Sequence, residues 1–340
     1  MSVLLSLIGL LTACQSTATD PIVDGAGKPR AGSIAELTAL ELNGARQFVL
    51  IRGENRENPV ILRVHGGPGQ AEMAAEVLNR DLEKDFVVVE WDQRGAGKSA
   101  IPDSDYAKLS LGVVVSDTVA LARVLNQRFG RKILLMGHSW GSVVGLLAAE
   151  RNPELFAGFV STGQIVDYQA GSAITYRDML TMAANQRLDA TSLRELGPPP
   201  YSDEARRQRY FGWMDKLGVS WHASPAMDRV GLMLRSPEYS WTEKLGFTDE
   251  AQKSFQALFG DLSSIRLEDH RTFSIPILFV LGAWDRLAPH ELAQAYFDTI
   301  QAPFKQAVTF ESSAHFPQYE EPQRFSQTVK QFWEAIQPTL

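Results

Sequence analysis

The chain has 340 residues, 44% of them hydrophobic and 21% charged, which is enough to bury a full core and carry an inserted subdomain. A formal charge of −7 and a sequence pI of about 5.5 argue against nucleic acid as a partner, because the best basic cluster, RRQR at Arg206–Arg209, reads as a solvated helix face. The single cysteine, Cys14, excludes an intrachain disulfide, and no internal repeat or low-complexity tract divides the chain.

Residues 1–14, MSVLLSLIGLLTAC, are almost wholly apolar and give way to a polar stretch. The run is too short to span a bilayer but has the length of a signal-peptide core, although residues 1–13 lack the Lys or Arg that normally precedes one. Leu11-Thr12-Ala13-Cys14 resembles the bacterial lipobox, in which the cysteine is lipidated and becomes the mature N-terminus. The expectation is a protein of the cell envelope, either attached to a membrane through lipidated Cys14 or released into the periplasm. If the segment is no signal, the expected location is the cytoplasm. Residues 15–33 read as a flexible tether.

The folded part is expected from residue 34. ELTALELNG (36–44) and RQFVLIRG (46–53) read as a hairpin turned at Asn43-Gly44. PVILRVHGG (59–67) and FVVVEWDQRG (86–95) are apolar, β-branched runs that suit strands buried on both faces of a parallel sheet, with a helix over 72–84 between them. A long amphipathic helix over 111–130 follows, then a buried strand (132–139), a helix (140–153) and a strand (156–163).

Residues 165–270 lose this alternation, hold five of the eight tyrosines and three of the seven tryptophans, and read as a mostly helical cap. The alternation returns with a strand (275–285), a helix (289–300), a strand and loop (305–315) and a last helix (318–336). The fold class is therefore α/β: a mostly parallel, doubly wound sheet over 34–164 and 271–340, with a helical cap over 165–270. In such sheets chemistry collects at the carboxyl ends of the strands.

Gly137-His138-Ser139-Trp140-Gly141 fits G-x-S-x-G at a strand-to-helix junction, where a sharp turn lifts a serine Oγ above the sheet and bulky flanking residues would collide. Ser139 is the candidate nucleophile. Of the six histidines, His315 lies in a loop after the last strand and is the candidate base; His65, His138, His222, His270 and His290 are read as structural. The orienting acid should end a strand between them in chain order, which selects Asp285 in VLGAWDRLAP. The oxyanion donors are expected at the backbone N–H groups of Trp140 and of Gly67 in HGGPG (65–69), where Pro68 has none to give. Asp92 and Arg94 in DQRGAGKS (92–99) are read as locking the loop that forms the site floor. No G-x-G-x-x-G stands in the right context, so dinucleotide binding is disfavoured.

HGGPG, DQRGAGKS and GHSWGS, in this order, resemble the prolyl iminopeptidase branch of the α/β-hydrolases over residues 36–164 and 270–340. The resemblance implies an α/β-hydrolase fold, a helical cap, no metal, no cofactor, and an acyl-enzyme on Ser139 formed while an N-terminal residue, usually proline, is cleaved from a peptide. Serine in place of aspartate at the nucleophile argues against the alkyl-enzyme chemistry of epoxide hydrolase and dehalogenase relatives. The family is similar in using cap glutamates, one in a Trp-x-x-Trp-Glu setting, to hold the substrate ammonium. Here the nearest stretch is YFGWMDKLG (210–218), so Glu204 and Asp215 are the candidate ammonium anchors. Two other readings stay open: an esterase, amidase or lactonase with the same triad, and a non-catalytic binding protein on a hydrolase scaffold.

Overall fold

The first hairpin forms as its Asn-Gly turn requires. β1 (Ile34–Leu42) and β2 (Ala45–Gly53) pair antiparallel around Asn43 and Gly44, both with positive φ. In the computed structural model, which describes residues 17–222 and 224–339, six more strands join them; Cys14 lies outside the described residues. These are β3 (Val60–Val64), β4 (Val87–Asp92), β5 (Ile133–His138), β6 (Phe156–Thr162), β7 (Ile277–Gly282) and β8 (Lys305–Phe310). The sheet order is β1-β2-β4-β3-β5-β6-β7-β8, parallel from β4 to β8.

Every residue of β3 to β7 is buried, because helices cover both faces. Adjacent residues serve opposite faces: Leu62, Leu135 and Phe159 enter one core with α3 (Trp140–Arg151), while Ile61, Leu134 and Val160 enter a second with Phe325, Val329 and Phe332 of α11 (Pro322–Ile336). The helix α2 (Leu111–Phe129) completes the first layer, capped by the Ser110 hydroxyl and closed by left-handed Gly130. The register pairs Val64 with both Trp91 and Gly137, and His138 with Thr162, so the ends of four strands share one rim.

Three local expectations need correction. Residues 72–84 form two short 3₁₀ stretches, Met73–Leu78 and Leu82–Lys84, instead of a helix. The carboxylates of this segment are buried: Arg52 Nε lies 3.0 Å from Glu76 and 2.9 Å from Glu83. A short helix, α1 (Asp103–Tyr106), was not expected. The final helix breaks at Glu321, where Pro322 separates α10 (Pro317–Glu320) from α11.

Between β6 and β7 the chain forms α4 (Tyr168–Asn185), α5 (Thr191–Leu196), α6 (Glu204–Leu217), α7 (Arg229–Arg235) and α8 (Trp241–Ser263). This insertion has an apolar cluster of its own, built on Met179, Leu193, Tyr210, Trp213 and Leu217. It is seated on the DQRGAGKS loop. The Tyr239 hydroxyl donates to Asp92 Oδ2 (2.6 Å), Lys98 Nζ pairs with Glu243 (2.9 Å), and the Ser254 hydroxyl donates to the Gly95 carbonyl (2.7 Å). Arg94 is bound at the other side of the loop, to Asp117 and to the carbonyls of Leu42 and Asn43.

Candidate active site

β5 ends at His138 and α3 begins at Trp140, so the whole strand-to-helix turn falls on Ser139. It adopts φ 54° and ψ −120°, a conformation that costs energy for any residue bearing a Cβ. A methyl on Gly137 would lie 2.2 Å from the Gly141 carbonyl oxygen, and one on Gly141 would lie 2.0 Å from that of Val64. Those contacts explain the two glycines. The strained residue is held by its own neighbours: its N–H donates to the Thr162 carbonyl (3.0 Å), and the Ser142 hydroxyl donates to its carbonyl (2.5 Å).

Ser139 lines a cavity of about 550 Å³ that lies between the strand ends and the insertion. His315 lines the same cavity, brought there by the loop after β8. Its Nδ1 donates to Asp285 Oδ2 at 2.9 Å, and both side chains are buried. Asp285 is itself fixed, because its Oδ1 accepts the N–H groups of Leu287 (2.9 Å) and Ala288 (2.8 Å). With the proton on Nδ1, His315 Nε2 keeps its lone pair, is buried, and is bonded to no group among the described residues. That is the state a general base needs, and the Ser139 hydroxyl, which lines the same cavity, is not hydrogen-bonded to it. Gly163 leaves room for the ring, since a methyl there would lie 2.7 Å from its Cε1, and the backbone N–H of His315 donates to the Ser220 carbonyl of the insertion (3.1 Å). Trp221 stacks on the adjacent Phe316 at 4.5 Å.

Gly67 also lines the cavity, with φ 117° and a cis peptide to Pro68. Trp140 opens α3, where helical N–H groups have no partner within the helix. Neither N–H is taken by a hydrogen bond among the described residues, so both are free to donate to an oxygen bound above Ser139.

The other histidines are engaged elsewhere. His65, which burial pushes down to about 4, accepts the Gln93 N–H on Nε2 (3.1 Å) and donates from Nδ1 to the Gly66 carbonyl (2.9 Å), bracing the HGGPG loop. His222 stacks on Trp284, and His270 meets Glu150 at 2.7 Å. His290 opens the helix His290–Thr299, our α9. His138 differs from these, because it lines the cavity. Burial, and then the adjacent His315, push its imidazole down to about 3, so the ring is neutral. Its Nε2 donates to the His315 carbonyl at 3.0 Å.

Of the two expected ammonium anchors, Asp215 lines the cavity, and partial burial raises its carboxyl above the ordinary value. Glu204 does not line it. It stands exposed at the first turn of α6 and accepts from Gln208 (3.0 Å) and Gln256 (2.9 Å). The segment puts Glu204 on the solvent side because Tyr210, Trp213, Met214 and Leu217 are the residues α6 buries.

Two cavity residues carry no sequence signal. Glu72, three residues beyond HGGPG, is buried in the cavity wall and accepts the Tyr319 hydroxyl on Oε2 (3.1 Å). Burial opposes its charge, but the Arg229 and Arg63 guanidiniums favour it, and the carboxyl is held below its ordinary value. Arg229 reaches in from α7, with Nη2 at 3.6 Å from Glu72 Oε1. In the sequence Glu72 reads as the start of a helix over 72–84; the buried Arg63 and the half-buried Tyr319, both distant in the chain, face it from inside.

The sequence profile of the alpha/beta hydrolase family matches residues 61–328. Over 308 residues the chain is 27% identical to the probable aminopeptidase YbaC of Bacillus subtilis (strain 168), covering 88% of this chain and 97% of that one. Over 305 residues it is 26% identical to a proline iminopeptidase of Clostridioides difficile (strain 630), covering 87% and 97%. The solved structure of a Mycobacterium smegmatis proline iminopeptidase shares the fold, with a TM-score of 0.66 at 18% identity over 88% of this chain and 98% of that one.

Proposed function

The chain belongs to the alpha/beta hydrolase family, and from that premise we propose that it is a serine hydrolase that releases an N-terminal residue from small peptides through an acyl-enzyme. The observation that carries the reading is the state of His315: Nδ1 is tied to Asp285 at 2.9 Å, and Nε2, unbonded among the described residues, stands in the cavity wall that also holds Ser139. In this reading His315 takes the Ser139 proton as Oγ attacks the substrate carbonyl, and Asp285 stabilises the imidazolium. The N–H groups of Gly67 and Trp140 receive the developing oxyanion, each contributing about 3 kcal/mol of barrier lowering. His315 then protonates the departing amine, and water releases the acyl group by the same steps.

The peptide specificity draws support from the relatives named as aminopeptidases and from the polar, buried carboxylate Glu72 in the wall. An esterase reading is favoured by the rest of that wall, which is apolar around Ile165, Phe211, Met214, Trp221 and Phe255.

The test is a substrate panel with Ser139→Ala beside the wild type. Prolyl and alanyl arylamides with free amines are compared with N-blocked versions, acyl esters and lactones. The expected result is a preference for the free amine, labelling by a serine-directed phosphonate, and loss of both in Ser139→Ala with an unchanged melting curve. Fast ester cleavage indifferent to the amine selects the esterase reading. No turnover and no labelling selects a binding protein, and undiminished turnover in Ser139→Ala overturns the serine mechanism.

A further inference from the structure

Catalysis as derived above leaves two buried acceptors in the cavity wall unused. The first is His138 Nδ1. Because Nε2 faces a carbonyl oxygen, which can only accept, Nε2 carries the ring proton and Nδ1 presents a lone pair. The second is Glu72 Oε1; the other carboxylate oxygen is occupied by the Tyr319 hydroxyl. Neither atom has a hydrogen-bond partner among the described residues, and the two lie 3.8 Å apart. Both side chains are more than nine-tenths buried, with 3% of Glu72 and 5% of His138 exposed. Two acceptors at this spacing cannot satisfy each other. Leaving buried acceptors unpaired costs energy, which a donor with two hydrogens placed between them recovers.

The position of this pair points to a class of donor. A methyl built on Gly66 would touch both His138 Nδ1 and Ser139 Cβ at 3.1 Å, so the free lone pair lies beside the nucleophile. A group that reaches it from a carbonyl under attack by Ser139 must be only a bond or two from that carbonyl, as the α-amine of an N-terminal residue is. A protonated α-amine brings at least two N–H groups, and a prolyl amine brings two. The local charge is compatible with a cation. Arg63 is occupied by Glu90 and Tyr319. Among the described residues Arg229 is the competing cation at the carboxylate, and at 3.6 Å it makes no hydrogen bond to Oε1.

We propose that Glu72 Oε1 and His138 Nδ1 together receive the protonated α-amine of the substrate, so that the core loop after β3, and not a carboxylate of the insertion, sets the requirement for a free amine. The proposal rests on the aminopeptidase reading and names the residues that would enforce it. It also assigns Arg229 a definite sign: as a cation beside the same oxygen, it opposes amine binding.

The experiment measures kcat and KM for a prolyl arylamide and for the p-nitrophenyl ester of cyclopentanecarboxylic acid, which has the same ring without the amine. Glu72→Gln keeps the shape and removes the charge. It should raise KM for the prolyl substrate about 10- to 100-fold, the range for losing a hydrogen bond to a charged group, and leave ester turnover unchanged. Arg229→Met should lower KM for the prolyl substrate, and this arm still decides the matter if Glu72→Gln does not fold. Equal losses on both substrates in Glu72→Gln would make Glu72 a structural residue and overturn the assignment. So would a rise in prolyl KM in Arg229→Met, or a loss of amine preference confined to Asp215→Asn. If the wild type cleaves the ester and ignores the amine, the aminopeptidase reading itself falls. If the wild type prefers the amine and Glu72→Gln keeps that preference, the reading stands and only this site is lost.

Discussion

Around Ser139, backbone atoms leave no freedom: a methyl on Gly141 would sit 2.0 Å from the Val64 carbonyl oxygen, and Ser139 is held at φ 54° by bonds to its neighbours. On α6 of the insertion, Glu204 projects into solvent and touches two glutamine amides. The contrast separates two ways in which a sequence specifies a site. In the sheet, a residue's place follows from the strand it ends and from the backbone that crowds it, so a local motif determines it. In the insertion, a residue's place depends on which helix face meets the core, and residues far away in the chain decide that.

The sharpest way to test this contrast is within the machinery of the sheet. Asp285 receives two backbone N–H groups on one oxygen and His315 Nδ1–H on the other. Asp285→Asn preserves the shape but turns an amide toward the imidazole and favours the wrong tautomer, with the proton on Nε2. We expect kcat to fall about 10⁴-fold with little change in KM. Steady-state kinetics on the prolyl arylamide measures this, and a loss below tenfold would mean that His315 is oriented by packing alone.

The same contrast explains what could be read in advance. The strand runs, the Asn43-Gly44 hairpin and the places of Ser139, Asp285 and His315 at strand ends were legible, because burial on both faces leaves unbroken apolar runs and tight turns demand glycine. Residues 72–84 look helical in the sequence, and only the distant Arg52, Arg63 and Tyr319 show that Glu72, Glu76 and Glu83 point inward. For that reason no local signal in the sequence marks Glu72. The family resemblance points to Glu204 as an ammonium anchor, yet the apolar residues of α6 rotate it away from the cavity.

A second test probes the backbone directly. Gly141→Ala adds one methyl at a position surrounded by the Val64 and His65 carbonyls, neither of which is a flexible side-chain end. The expected loss of stability is about 3 kcal/mol, the upper end for overpacking, read from the urea midpoint. A substitution of equal size on the exposed face of α6 should be silent by comparison.

Asp92 stands where the two regions meet, accepting the Lys98 N–H (2.9 Å) and the Tyr239 hydroxyl of the insertion (2.6 Å) on one oxygen. Burial, against those hydrogen bonds and Lys98, pushes its carboxyl from 3.8 up to about 7. Between those values the folded chain keeps a proton that the unfolded chain has released, so this group's contribution to stability falls as pH rises from about 4 to 7. Asp92→Asn removes that term. The stability of the wild type relative to Asp92→Asn should therefore decline by about 1 kcal/mol per pH unit across pH 5 to 7, measured by urea denaturation at fixed ionic strength. A difference that is flat with pH would mean that Asp92 is ionised throughout and that Lys98 is its true counter-charge.

The smallest effect is expected at Glu204. Its carboxylate is exposed and accepts from Gln208 and Gln256, two contacts that the Oε1 of an amide can also receive. Glu204→Gln should therefore leave stability within about 0.5 kcal/mol of the wild type. Its kcat/KM for free-amine substrates should also hold, because water screens an exposed charge outside the cavity from a substrate within it. The variant also serves as a direct control for Glu72→Gln, which makes the same chemical change at a buried carboxylate in the cavity wall. If Glu204→Gln raised KM for the prolyl substrate tenfold while ester turnover held, the insertion would have to close so that α6 turns Glu204 inward. Position in the insertion would then be set by the bound substrate, and the division between a sheet that fixes its residues and helices that leave theirs to packing would fail at the place where it is weakest.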